Sequence, residues 1–152
     1  MTSGTIFSRI AWLCMLAVVP VLLSACGAGR TVTGLSSGPP AATASLAQIQ
    51  EQIFTPYCAS CHCPGGSGPM SLTDPAASHA ALVGADPTNS TARQAGEKRV
   101  MAGNPARSFL LNKLTGQMEF GEGDQMPQNS PPLSAAEIAL VRQWIQAGAP
   151  EN

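Results

Sequence analysis

Cys58 to Cys63, read as CASCHC, place three cysteines and one histidine within six consecutive residues. Whatever these side chains bind constrains how the chain around them can fold. Such a cluster is typical of a zinc site, a redox dithiol or a haem attachment point. Structural zinc needs four tetrahedral ligands, which normally come from two separated pairs. Because these four lie together and the only other histidine is His79, the sequence disfavours zinc.

The same cysteines could instead form a redox dithiol. A thioredoxin-like dithiol places its C-x-x-C near a strand-and-helix unit of an α/β fold. No segment of this sequence alternates convincingly as a strand over four or more residues. The motif follows a run whose apolar residues recur at intervals of three and four, as in a helix. The sequence therefore disfavours a dithiol as well.

The spacing C-x-x-C-H is the attachment signature of a c-type haem. On a helical turn Cys58 and Cys61 project from one face, so both sulfurs can reach the two vinyl groups of one porphyrin. His62 follows Cys58 by four residues and directs an imidazole nitrogen at the iron. A bound macrocycle would also fill the middle of a core that has only 5% aromatic residues to draw on. We therefore expect one covalently bound haem c.

Residues 45–152 are predicted to form an all-α domain. A first helix is indicated by apolar residues that share one face. These residues are Leu46, Ile49, Ile53, Phe54 and Tyr57.

Three later helices are predicted from their ends. Two begin with a capping residue followed by proline, and the last begins with a capping box of Ser134 and Glu137. Glycine ends each of them. The bounding residues are Asp74 and Gly84, Asn104 and Gly116, and Ser134 and Gly148. Residues 116–133 are rich in Gly, Pro, Gln and Asn, and a loop of that length in a compact domain is usually functional or disordered.

Residues from about 48 to 149 resemble a class I monohaem cytochrome c domain. The resemblance implies that the first and last helices cross beside the haem, with Phe54 near Trp144. The family often has a small residue where this sequence has Gln50, which implies a looser crossing. The matching elements are Ile53-Phe54, Cys58 to His62, Met126-Pro127, Leu133-Ser134, Glu137-Ile138, Trp144-Ile145 and Gly148-Ala149.

The resemblance also implies that Met126 is the second axial ligand of the haem iron. A methionine ligand favours reduced iron and raises the reduction potential relative to two histidines. The alternatives are Met118, His79 or an open position, and an open position would indicate a sensor or a peroxidase-like enzyme. Methionine more commonly fills gaps in a core, and we expect that role for Met70 and Met101.

The first 26 residues have the layout of an export signal, in which Arg9 precedes an apolar run. The end of this run, Leu23 to Cys26, resembles the lipobox of bacterial lipoproteins and implies that Cys26 is lipidated. An uncleaved anchor and ordinary cleavage are the alternatives. Because Gly27 rather than aspartate follows, the resemblance implies sorting to the outer membrane. Residues 27–44 are rich in Gly, Pro and Ser and are predicted to be a flexible tether.

These features predict an electron carrier rather than an enzyme: a lipid-anchored monohaem c-type cytochrome that faces the periplasm in a cell-envelope respiratory chain. The alternatives are a haem sensor or enzyme with an open iron position, and an electron-transfer subunit of a larger oxidoreductase. With 8 basic and 9 acidic residues, the chain lacks the basic stripe that nucleic acid requires. We expect redox proteins as partners, with Glu119, Glu122 and Asp124 as a candidate docking rim. Cys63 is assigned no site role.

Overall fold

The computed structural model describes residues 44–152, so the predicted signal peptide and the predicted tether up to residue 43 lie outside it. The described residues form helices and no strand, apart from two isolated parallel bridges. The prediction of an all-α fold is confirmed at this level. None of the helices in this part of the chain is long and apolar enough to cross a membrane.

The first helix begins as α1, Leu46–Ile49, and continues as a π-helix, Gln50–Cys58. The sequence did not predict the π-helical part. Backbone hydrogen bonds of a π-helix reach five residues back, as does the one from Ala59 N to Phe54 O at 2.8 Å. The turn is therefore wider, and each residue advances around the axis by a smaller angle than in an α-helix.

This wider turn explains where the predicted apolar face ends. Leu46, Ile49, Ile53 and Phe54 are fully buried, as predicted. Tyr57 is 40% exposed, so its assignment to the buried face was wrong. A spacing of three after Phe54 no longer returns to the same face once the turn has widened.

Four helices follow, together with one short 3-10 turn. They are α2, Pro75–Leu82; α3, Ser90–Gln94; the 3-10 turn, Pro105–Arg107; α4, Phe109–Thr115; and α5, Ala135–Gln146. Two of the three predicted N-terminal caps are confirmed: the N–H of Ala77 donates to Asp74 at 2.9 Å, and the capping box of Ser134 and Glu137 is formed in both directions. The side chain of Asn104 makes no capping hydrogen bond. Helix α3 was not predicted, although Asn89 caps it by accepting from the N–H of Ala92 at 3.0 Å.

The helix expected to start at Asn104 is interrupted, and here the prediction was wrong. Ser108 has an extended backbone between the 3-10 turn and α4. Its buried hydroxyl accepts from the N–H of Met101 at 2.9 Å and donates to the carbonyl of Asn104 at 2.8 Å. A serine side chain that bonds to nearby backbone competes with the helix in this way. Gly116 ends α4 in the left-handed conformation, with φ of 75°, as predicted.

The core joins the first helix, α2, α4 and α5. Its fully or nearly fully buried members are Ala44, Leu46, Ile49, Ile53, Phe54, Leu72, Leu82, Val100, Leu111, Leu114, Leu133, Val141, Trp144, Ile145 and Ala149. One polar side chain, Gln50, is only 5% exposed among them. Its amide donates to the carbonyl of Leu72 at 2.9 Å and accepts from the hydroxyl of Ser78 at 2.7 Å. Gln50 thus connects the first helix to the segment after His62 and to α2.

Replacing Gln50 by Ala should lower the free energy of unfolding by about 1–3 kcal/mol, because buried polar groups of Leu72 and Ser78 lose their partner. Urea denaturation of the variant measures this. The exposed Gln48 is the matched control, and Gln48→Ala should change the value by less than about 0.5 kcal/mol. Equal effects of the two substitutions would contradict a structural role for the Gln50 hydrogen bonds.

Candidate functional site

The C-x-x-C-H motif begins where the π-helix ends. Cys58 is its last residue, and its carbonyl accepts from the N–H of Cys61 at 3.2 Å and of His62 at 2.9 Å. These two hydrogen bonds close one turn, so the three motif residues lie together as the spacing predicts. Cys58 is half-buried and Cys61 is exposed. Neither forms a disulfide within the described part of the chain.

Cys58 has the environment of a protonated thiol. Burial, and next the neighbouring Cys61, raise the pKa of Cys58 to about 11. Its sulfur lies 3.8 Å from the carbonyl oxygen of Ile53, to which it can donate. Dithiol oxidoreductases depend on a lowered thiol pKa, so this environment is the opposite of what such chemistry requires.

His62 is half-buried, and its Nδ1 atom is buried without a hydrogen-bond partner. Burial and the charge of Arg99 lower the pKa of His62, while the backbone of Met70 acts in the opposite direction. The ring is therefore biased toward its neutral form, which is the form that binds metals. The main chain fixes the residue as well, because its carbonyl accepts from the N–H of Leu72 at 2.7 Å.

Gly68 leaves the space that the His62 ring occupies. A Cβ atom at this position would lie 2.2 Å from Nδ1 of His62, far inside van der Waals contact. Gly68 thus makes room for the imidazole.

A cavity of about 240 Å³ lies beside the motif. Cys58, His62 and Met126 all line it, although Met126 is 64 positions after His62. Its apolar lining residues include Leu72, Leu82, Pro87, Phe109, Leu110 and Leu114. The volume is somewhat below the range of about 300–1,000 Å³ typical of ligand pockets. A larger depression, of about 400 Å³, is lined by eight residues between Asp124 and Pro132, Met126 among them, and by none of the motif residues.

Met126 belongs to the segment 116–133, which has no helix or strand and which we call the ligand loop. Its N–H donates to the carbonyl of Lys113 at 2.8 Å. The adjacent Gln125 donates to the carbonyl of Leu114 at 3.0 Å. Hydrogen bonds to α4 therefore hold Met126 at the cavity.

The two alternative ligands are not among the residues that line the cavity. Nε2 of His79 lies 3.0 Å from the carbonyl oxygen of Ala149, so this histidine contacts the C-terminal turn. Met118 is half-buried in the ligand loop. Met70 does line the cavity, which sequence reasoning missed, but its backbone lies beside His62.

Four polar residues of the cavity were also missed: Thr88, Asn89, Arg99 and Lys113. They come from α4 and from segments before it, and no sequence motif links them to the cysteines. Glu122 lines the cavity too and is only 4% exposed. Its carboxylate accepts from the N–H of Glu119 at 2.9 Å, so Glu122 is unavailable for the expected docking rim.

Cys63 is separate from this arrangement. It is half-buried, and its sulfur lies 3.8 Å from the carbonyl oxygen of Ser60. It does not line the cavity.

His62 and Met126 bring one imidazole and one thioether to the lining of the same cavity. Among residues 44–152, no three His, Cys, Asp or Glu side chains come together in a group that could hold a metal ion. One imidazole and one thioether are a known axial pair for haem iron. The imidazole of His62, the apolar lining and the thioether of Met126 at one cavity fit such a group, with two thiols on the adjoining turn.

Comparison with family models, curated proteins and solved structures finds no match to this chain.

Replacing Gly68 by Ala should displace the His62 ring and destabilise the fold by about 1–3 kcal/mol, as overpacking does. NMR signals of the imidazole and urea denaturation measure the two effects. Ser67→Ala, at the exposed neighbouring position, is the control. Unchanged imidazole signals in Gly68→Ala would show that the ring is not confined by this glycine.

Proposed function

We propose that this protein is a lipid-anchored electron carrier, a monohaem c-type cytochrome of the class I kind, rather than an enzyme. One observation carries the proposal: Cys58, His62 and Met126 line a single apolar cavity, and Cys61 lies on the same turn. A redox dithiol or a zinc site does not require a methionine from a distant part of the chain in the cavity beside its cysteines. An attachment motif and such a methionine are both expected around a haem.

Four residues would hold the haem. Cys58 and Cys61 would carry haem c through thioether bonds, and His62 and Met126 would be its axial ligands. Haem iron with this ligand pair supplies one-electron chemistry. The apolar lining of the cavity excludes water. The backbone of Gly68 lies close against the His62 ring and keeps the imidazole in one orientation.

The choice between carrier and sensor depends on Met126. A sensor or peroxidase-like enzyme requires an iron position that exogenous molecules can reach. The loop hydrogen bonds to α4 favour a fixed thioether at the cavity. A subunit of a larger oxidoreductase would have the same site, so that alternative differs in its partner and not in its chemistry.

The proposed location is the bacterial cell envelope, on the periplasmic side of a membrane, with the outer membrane favoured. It rests on the export signal and on the lipobox-like sequence that ends at Cys26. Redox proteins are the proposed partners. Of the three acidic residues considered for docking, Glu119 and Asp124 are exposed.

Carbon monoxide should leave the visible spectrum of the reduced, haem-loaded full-length protein unchanged, because the thioether of Met126 would be bound to the iron. Met126→Ala should bind carbon monoxide and change its spectrum. Met118→Ala, in the same loop, is the matched control and should remain unreactive. Ready binding by the unaltered protein would refute the carrier proposal and favour a sensor or enzyme.

Replacing Cys26 by Ser should move the protein from the membrane fraction to the soluble fraction, because the lipid attachment site is lost. Fractionation of cells, with mass measurement of the mature N-terminus, tests this. Cys14→Ser is the control, since that cysteine lies inside the apolar run that the signal peptidase removes. Continued membrane association of Cys26→Ser would instead indicate an uncleaved anchor.

A further inference from the structure

Lys113, in the last turn of α4, makes three contacts with the ligand loop. Its carbonyl accepts from the N–H of Met126 at 2.8 Å. Its ammonium donates to the carbonyl of Glu122 at 3.1 Å and also to the carbonyl of Asp124. One side chain and its own backbone thus reach loop positions on both sides of Gly123.

The ammonium of Lys113 has an unusual set of partners. The only ion pair in the described residues joins Lys98 to Asp86, whereas Lys113 meets backbone carbonyls. Its side chain is half-buried, passes over the ring of Phe109 with Nζ 5.7 Å from the ring centre, and lines the cavity. Taking a charge partly out of water is costly unless hydrogen bonds compensate. The two loop carbonyls supply that compensation, which ties the ammonium to one loop conformation.

Gly123 makes this conformation possible. Its φ of 81° is in the left-handed region, which glycine adopts without strain. A Cβ at this position would lie 3.6 Å from Nζ of Lys113, so the loop backbone passes directly over the ammonium. The carbonyls before and after Gly123 can therefore both accept from it.

We propose that Lys113 is a positioning residue that holds Met126 at the cavity by fixing the loop segment just before it. This inference rests on the proposed function, since it concerns how the second axial ligand is kept in place. The ligand loop has no helix or strand, so its conformation depends on such contacts. Without the ammonium, the backbone bond between Met126 and Lys113 remains, but the carbonyls of Glu122 and Asp124 lose their hydrogen bonds to α4.

The test compares variants of the haem-loaded full-length protein. Lys113→Met keeps most of the apolar stem and removes the donors, and Lys113→Arg keeps a cation that can donate to carbonyls. Lys98→Met removes the chain's only other lysine and is the matched control. Met126→Ala is the reference for an open position. Two quantities are measured: the rate of carbon monoxide binding to the reduced protein, and hydrogen exchange at the Met126 amide.

The unaltered protein should bind carbon monoxide too slowly to change its spectrum in the earlier test, and Lys113→Met should raise this residual rate on the order of tenfold, because hydrogen bonds to a charged group are lost. Exchange at the Met126 amide should rise by a similar factor, although its backbone acceptor is still present. Lys113→Arg should return both rates most of the way to those of the unaltered protein, and Lys98→Met should match the unaltered protein.

The two measurements separate failure of this proposal from failure of the proposed function. If Lys113→Met matches the unaltered protein while Met126→Ala binds carbon monoxide, Lys113 does not position the loop and the carrier function stands. If the unaltered protein binds as fast as Met126→Ala, the carrier function fails, and amide exchange alone decides the role of Lys113. Should Lys113→Met not fold, Lys113→Gln takes its place in both measurements.

Discussion

Apolar packing between the first helix and α5 is the interaction on which the rest of the structure depends. Leu46, Ile49, Ile53 and Phe54 and the α5 residues Val141, Trp144 and Ile145 are buried in one cluster. The N–H of Leu46 also donates to the carbonyl of Asn152 at 3.0 Å, which joins the two ends of the described chain. Because the motif turn follows directly from the first helix, this packing sets where Cys58 and His62 lie.

The other side of the site is held in a different way. Met126 lies in a segment that buries few apolar side chains, and hydrogen bonds to α4 keep it in place. Asn89 contributes as well, because its amide donates to the carbonyl of Gly121 at 2.9 Å. The motif turn is thus held in place by apolar packing of the first helix, and the loop of Met126 is held by polar contacts. Polar contacts with solvent nearby open more readily than a core does.

The sequence was most informative where the cause of a structure is local. Caps at Asp74 and Ser134 need only their next three residues, and the motif turn needs only five. The break at Ser108 could not be predicted from local sequence, because it depends on a buried hydroxyl. The exposure of Tyr57 could not be predicted either, because it depends on the widened turn of the π-helix. Arg99 and Lys113 reach the cavity through tertiary packing, so no spacing in the sequence connects them to the cysteines.

Gln50 is buried in the first helix, and the consequence of its hydrogen bonds extends beyond helix packing. Its amide binds the carbonyl of Leu72, and the N–H of Leu72 binds the carbonyl of His62. A single residue, Leu72, therefore stands between the side chain of Gln50 and the main chain of His62. Rotation or sliding of that helix would be passed to the main chain of His62 through these two hydrogen bonds, as well as along the chain through Cys58. The backbone of His62 is thus connected to the core in two ways: along the chain through the first helix, and through the hydrogen bonds by way of Leu72.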